Sequence, residues 1–144
     1  PKIGQVIQSE AKKANIDVKL RNVDDIEGYL KDKDAWDASM YSYLTVPRGD
    51  TGYFFNTAYL PKGANNKGNY NNKEVTQQIK QLNQTFGQPE REQLTNQILK
   101  TSDKDIPNSY ITYNDQIDGV SKNVKNFNVT PESIYLIDYK VDKK

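Results

Sequence analysis

The sequence predicts an α/β fold in which a βαβ unit is followed by a helix pair and terminal strands. Two short runs alternate apolar and polar residues with a capped helical segment between them. The second half carries two amphipathic helical segments divided by a glycine. At 144 residues there is room for one domain, or part of a larger one, and not for two independent cores.

Each element has its own local warrant. Ile3, Val6, Ile7, Ala11 and Ala14 share one helical face, and Pro1 suits a first turn, so the chain is expected to open on an amphipathic helix. Ile16, Val18 and Leu20 then alternate with Asp17, Lys19 and Arg21, the pattern of a strand. Asp24 followed by Glu27 resembles a capping box and starts a short helix bearing Ile26, Tyr29 and Leu30. Trp36, Ala38 and Met40 alternate with Asp37, Ser39 and Tyr41 as a second strand running to about Leu44. Strand, helix and strand this close together imply parallel pairing with a right-handed crossover. A helix that opens such a sheet needs a strand before it, so residues 1–144 are expected to form a single partial domain that starts inside a larger fold.

From Val46 to Asn72 prolines, glycines and asparagines dissolve the periodicity, and a stretch of that length is functional or poorly ordered. Val75, Ile79, Leu82 and Phe86 mark the next helix, capped near Asn71 or Asn72 and ended by Gly87. Pro89 opens a following helix with Leu94, Ile98 and Leu99 on its inner face. Ile106–Tyr113 and Ser133–Val141 read as the terminal strands.

Composition excludes much chemistry. With no Cys there are no disulfides, thiolate nucleophiles or Cys-based metal sites, and with no His the commonest general base and transition-metal ligand is missing. No nucleophile–base pair can be assembled, so the protein is not expected to be an enzyme. Twenty Lys and Arg against nineteen Asp and Glu leave a formal charge of +1, which selects neither nucleic acid nor an anionic membrane. A mean hydropathy of -0.91 speaks against a membrane-spanning helix.

In an open α/β sheet, ligands bind beyond the carboxyl ends of the strands. The predicted strand ending near Leu44 delivers its end into Val46–Asn56, a segment with a guanidinium, a carboxylate, hydroxyls, an amide and aromatic faces. Arg48 can hold a ligand carboxylate in bidentate geometry, and Tyr41, Tyr43 and Tyr53 can supply flat walls. The blander alternative pairs Arg48 with Asp50 inside a turn and packs the aromatics. Arg48-Gly49-Asp50 also spells an adhesion triplet, a match of low specificity, and would make the chain an interaction module. Asp32, Asp34 and Asp37 lack the Gly and distal Glu of a Ca²⁺ loop. Asp24/Asp25 and Asp103/Asp105 suit helix ends better than catalysis.

The order of these segments resembles a known family. Ile3–Gln8 with Ala14–Leu20 looks like the helix-then-strand passage of extracytoplasmic solute-binding proteins of the oligopeptide/nickel ABC importer family. Trp36–Tyr41 resembles their next strand, and Asp50 the Asp of the loop after it. Gly68-Asn69-Tyr70-Asn71-Asn72, Arg91–Leu94 with Asp105–Tyr110, and Val120–Phe127 are similar to later stretches in the same order. The resemblance implies part of the C-terminal lobe of a periplasmic-binding-protein-like (class II) fold, with an N-terminal lobe as its missing mate. It also implies delivery of a small-molecule ligand to a membrane permease, and a lipid-anchored, extracytoplasmic cell-surface location in the parent protein.

The loop is similar to that of nickel- and metallophore-type members of Gram-positive bacteria, with oligopeptide capture as the alternative. No intrinsic cofactor is expected. Nickel or another divalent metal would arrive as a chelate, because this sequence offers a metal only oxygen donors where some nickel-type members carry Trp and His. The candidate ligand-binding residues are Tyr41, Tyr43, Thr45, Arg48, Asp50, Tyr53 and Asn56.

Overall fold

Apolar side chains three and four apart dominate the middle of the chain, and helices follow there. The computed structural model describes residues 2–113, 115, 117–127 and 142–143. Its helices are α1 (Lys2–Lys13), α2 (Ile26–Tyr29), α3 (Gly52–Ala58), α4 (Lys73–Gln84) and α5 (Gln88–Ser102), with a 3₁₀ turn at Pro47–Gly49. Strands β1 (Val124–Lys125) and β2 (Asp142–Lys143) pair antiparallel, Val124 opposite Lys143.

The core lies among α3, α4 and α5. Val75, Ile79 and Leu82 from α4 and Ile98 from α5 are fully buried, joined by Phe54, Phe55, Ala58, Tyr59 and Leu94. Asn72 caps α4 by accepting from the Val75 amide at 3.1 Å, as the sequence pattern indicates. The short α4–α5 connection makes the pair antiparallel, and Gln78 in the middle of α4 reaches Thr101 near the end of α5 at 3.1 Å. Gly87 does not end α4. Thr85 is the C-cap and Gly87, in extended backbone, is the N-cap of α5. Phe86 therefore falls in the connection, outside the helical face to which its spacing assigned it, and is 91% exposed.

The predicted βαβ unit is not formed within the described residues. Its central helix is present as α2, capped by Asp25 through the Gly28 amide at 2.9 Å, but residues 16–20 and 36–44 carry no strand ladder. Apolar–polar alternation records which face wants burial, whereas a strand also needs a neighbour for its amides and carbonyls. Here residues 16–20 lie against α1 instead. Gln8 Nε2 donates to the Val18 carbonyl at 2.6 Å, and a Cβ on buried Gly4 would sit 3.4 Å from Leu20 and 3.7 Å from Met40. Ile3, Val6, Ile7, Ile16, Leu20, Met40 and Leu44 keep substantial exposure, so the apolar face expected of α1 and the two runs is largely uncovered. Residues 106–113 likewise form no strand, while the predicted strand Ser133–Val141 lies outside the described residues.

The stretch Val46–Asn72 is ordered. Phe54, Phe55, Ala58 and Tyr59 share one face of α3 and enter the core. The turns beyond it are held by Asn66, whose amide donates to the carbonyls of Leu60 (2.9 Å) and Tyr70 (2.7 Å) while its oxygen accepts from the Tyr70 amide (2.8 Å). Gly63 passes so near α3 that a Cβ there would lie 2.2 Å from the Thr57 carbonyl oxygen, a position open only to glycine.

Candidate functional site

The strip from Tyr41 to Asn56 meets the core through aromatic rings. The Tyr41 and Tyr43 rings lie 4.7 Å apart, and Tyr43 meets Phe54 edge-on at 6.0 Å. Phe54 in turn contacts Tyr59 (5.3 Å) and Tyr110 (6.3 Å), and Tyr59 contacts Tyr70 (5.4 Å). Edge and tilted geometries of this kind suit the ring quadrupoles.

The hydroxyls of these tyrosines are spent internally. Tyr41 donates to the Glu27 carboxylate, which also accepts from Lys67 at 2.6 Å. Tyr43 donates to the Asn65 carbonyl at 2.9 Å, Tyr59 and Tyr110 share a bond of 2.8 Å, and Tyr70 donates to Asp105 at 2.8 Å. The bond to Glu27 raises the Tyr41 phenol above its ordinary value, and burial raises Tyr43, Tyr70 and Tyr110. These side chains stay neutral at physiological pH, so they offer ring faces and not phenolate ligands. Glu27 is held below the usual carboxylate range, first by the Lys67 hydrogen bond and then by Tyr41.

Past the half-buried Thr45, the chain enters the 3₁₀ turn with Gly49 in the left-handed region (φ 73°). Arg48 is in this turn, and the role assigned to its guanidinium concerns a side chain outside the described part. Asp50 is committed within the fold. Its Oδ1 accepts from the Gly52 amide at 2.8 Å and from Arg91 Nη2 at 2.6 Å, and together they hold its carboxyl below the ordinary range, the amide contributing most. An adhesion receptor would need that carboxylate, so its engagement weighs against the Arg48-Gly49-Asp50 reading. Asn56 is engaged as well, exchanging two hydrogen bonds of 2.9 Å with Asn83 of α4 and donating to Gly52 O at 2.7 Å. Tyr53 is half exposed on α3.

The sequence reading placed Arg91 in a family-like motif but gave it no role at the site. Its Nη1 donates to the carbonyls of Leu82 (2.8 Å) and Thr85 (2.7 Å) at the end of α4, while Nη2 holds Asp50. An arginine in the first turn of α5, following a short connection, was the available signal. Among the described residues no three His, Cys, Asp or Glu side chains are grouped to hold a metal ion, and no helix is long and apolar enough to cross a membrane.

The fold and strip have counterparts in known proteins. The chain is 62% identical over 139 residues to the nickel-binding protein NikA of Staphylococcus aureus, a match covering 96% of this chain and 28% of that protein. The chain matches a segment of a nickel-binding solute-binding protein. The crystal structure of S. aureus NikA in complex with Ni(L-His)2 superposes with a TM-score of 0.88 at 60% identity, over 99% of this chain and 31% of that one. A nickel ABC transporter structure from Bacillus halodurans gives 0.76 at 35% identity, over 99% and 30%. No family model matches the chain. It thus spans under a third of the length of the relatives it matches, and the family resemblance read from its motifs agrees with them.

Proposed function

We propose that the chain is part of the substrate-binding component of an ABC importer that captures nickel, or cobalt, as a metal–chelator complex outside the cytoplasm. The observation that carries this is a pairing. The sequence is 62% identical to a nickel-binding protein, yet contains no His and no Cys. A site built with this segment therefore takes its nitrogen donors from the cargo or from another part of the protein. The solved relative holds nickel with two histidine molecules, a cargo that brings its own imidazoles. In this reading Arg48 recognises a chelator carboxylate, Tyr41, Tyr43 and Tyr53 cover flat ligand surfaces, and Thr45, Asp50 and Asn56 shape the strip.

Residues 1–144 are one partial domain, the C-terminal-lobe segment of a two-lobed binding protein. The uncovered apolar face of Ile3, Val6, Ile7 and Leu20 supports this, since the relatives carry more than twice this length of further chain to cover it. The parent protein is lipid-anchored at the cell surface and hands its cargo to a membrane permease.

The test is calorimetry on the full natural polypeptide, titrated with Ni²⁺ alone and with Ni²⁺ plus two equivalents of L-histidine. The complex should bind far more tightly than the bare ion. Arg48→Ala should weaken it about tenfold or more, the range for losing a charge-assisted contact. Tyr43→Phe should bind as wild type because its hydroxyl is spent on Asn65, whereas Tyr43→Leu should not. Equal affinity for bare Ni²⁺, or an Arg48→Ala variant indistinguishable from wild type, refutes the assignment.

A further inference from the structure

We infer that Arg91 is a positioning residue for the ligand strip, latching it to the α4–α5 hairpin; this rests on the functional reading just given. A guanidinium has donors in a rigid planar fork, so one Arg can hold several acceptors in fixed mutual orientation. Arg91 uses one nitrogen on the Leu82 and Thr85 carbonyls at the end of α4, the first of which also accepts from the Thr85 amide at 3.2 Å. Its other nitrogen grips Asp50 at 2.6 Å.

The next turn of α5 supplies a second tie. Thr95, on the same helix face as Arg91, shares a hydrogen bond of 2.9 Å with Thr51. Consecutive strip residues Asp50 and Thr51 are thus fastened to consecutive turns of α5. The core burial of α4 and α5 makes that hairpin a firm base.

The latch lies between the residues it would place. Arg48 precedes Asp50 in the 3₁₀ turn, and Tyr53 follows in the first turn of α3. Without Arg91, Asp50 still accepts from the Gly52 amide, so α3 keeps its start while the turn loses its fixed relation to the hairpin. Lysine cannot substitute, since one ammonium does not reproduce the two-nitrogen fork. Arg91 therefore acts on ligand affinity by holding the strip still.

The experiment uses the full natural polypeptide carrying Arg91→Ala, Arg91→Lys or Thr95→Val, with Arg91→Gln replacing any variant that loses its far-ultraviolet helical signal. Two quantities are read, hydrogen exchange at the amides of residues 50–56 and the dissociation constant for Ni²⁺ with two equivalents of L-histidine. Arg91→Ala and Arg91→Lys should raise exchange at least tenfold and weaken binding about tenfold. Thr95→Val should do the same to a smaller degree. Unchanged exchange overturns the latch. Raised exchange with binding within twofold of wild type overturns the positioning role and leaves Arg91 a helix-end tie. A wild-type protein that ignores the nickel–histidine complex overturns the functional reading, and the exchange result still reports on the latch.

Discussion

Replacing Asn66 should loosen the path from Leu60 to Tyr70 and, through it, the tyrosines of the strip. Its amide makes three hydrogen bonds, to the carbonyls of Leu60 and Tyr70 and from the Tyr70 amide, all partly buried. Each is worth about 1 kcal/mol net, and groups near the surface recover some of that from water, so Asn66→Ala should cost about 2 kcal/mol of local stability. That is roughly a thirtyfold rise in local opening. The assay is native-state hydrogen exchange at the Gly63, Asn65 and Tyr70 amides, which bond to Leu60 O (2.8 Å), Thr57 O (2.9 Å) and Asn66 Oδ1 (2.8 Å). Asn66→Asp sharpens the test. A carboxylate still accepts from the Tyr70 amide but turns unprotonated oxygens toward two carbonyls, so it should do at least as much damage as alanine. A rise below threefold for Asn66→Ala, or wild-type protection in Asn66→Asp, refutes the claim that this side chain holds the loop.

Ile79→Ala, at a fully buried position between α3 and α5, should cost about 3 kcal/mol within the usual range for such truncations, measured by urea denaturation or pulse proteolysis. Asp105 accepts from Asn72 at 2.6 Å and Tyr70 at 2.8 Å, and these bonds, Asn72 foremost, lower its pKa. A depressed carboxylate adds stability above its unfolded value of about 4 and loses it as pH falls through the folded value. Exchange at the start of α4 should thus quicken below about pH 4 in wild type and lose that component in Asp105→Asn. An identical acid response in both would count against the interaction.

What the sequence made legible was helix, cap and core wherever local patterns decide them. Asn72 as cap, the face of Val75, Ile79 and Leu82, and Leu94 with Ile98 all fall where spacing put them. It misled where the outcome depends on partners. The alternating runs at 16–20 and 36–44 look like strands, but no neighbouring strand pairs with them among the described residues. It also hid α3, because Gly49, Gly52 and Gly63 suggest a loop while Phe54, Phe55, Ala58 and Tyr59 carry the helical face through it. Of the candidate residues, Asp50 and Asn56 have internal duties that no linear motif displays, since Arg91 and Asn83 come from distant points in the chain.

In the proposed reading, these internal duties narrow what the strip can recognise. Of its carboxylate and tyrosines, Asp50 is bound to Arg91 and Gly52, Tyr43 to Asn65, and Tyr41 to Glu27. A ligand reaching these side chains meets aromatic faces whose hydroxyls are already committed, and displacing them would break bonds that hold the fold. In the proposed reading a bare hydrated cation gains less from such a surface, since the strip's one carboxylate is already paired with Arg91 and the Tyr41 and Tyr43 phenols stay neutral. A complex with filled coordination positions, flat rings and outward carboxylates gains contact without asking any of those groups to move. The same logic reconciles a chain without imidazole or thiolate with its 62% identity to a nickel-binding protein. In the proposed function its part would be to recognise what surrounds the metal, with Arg48 as the strip's basic residue.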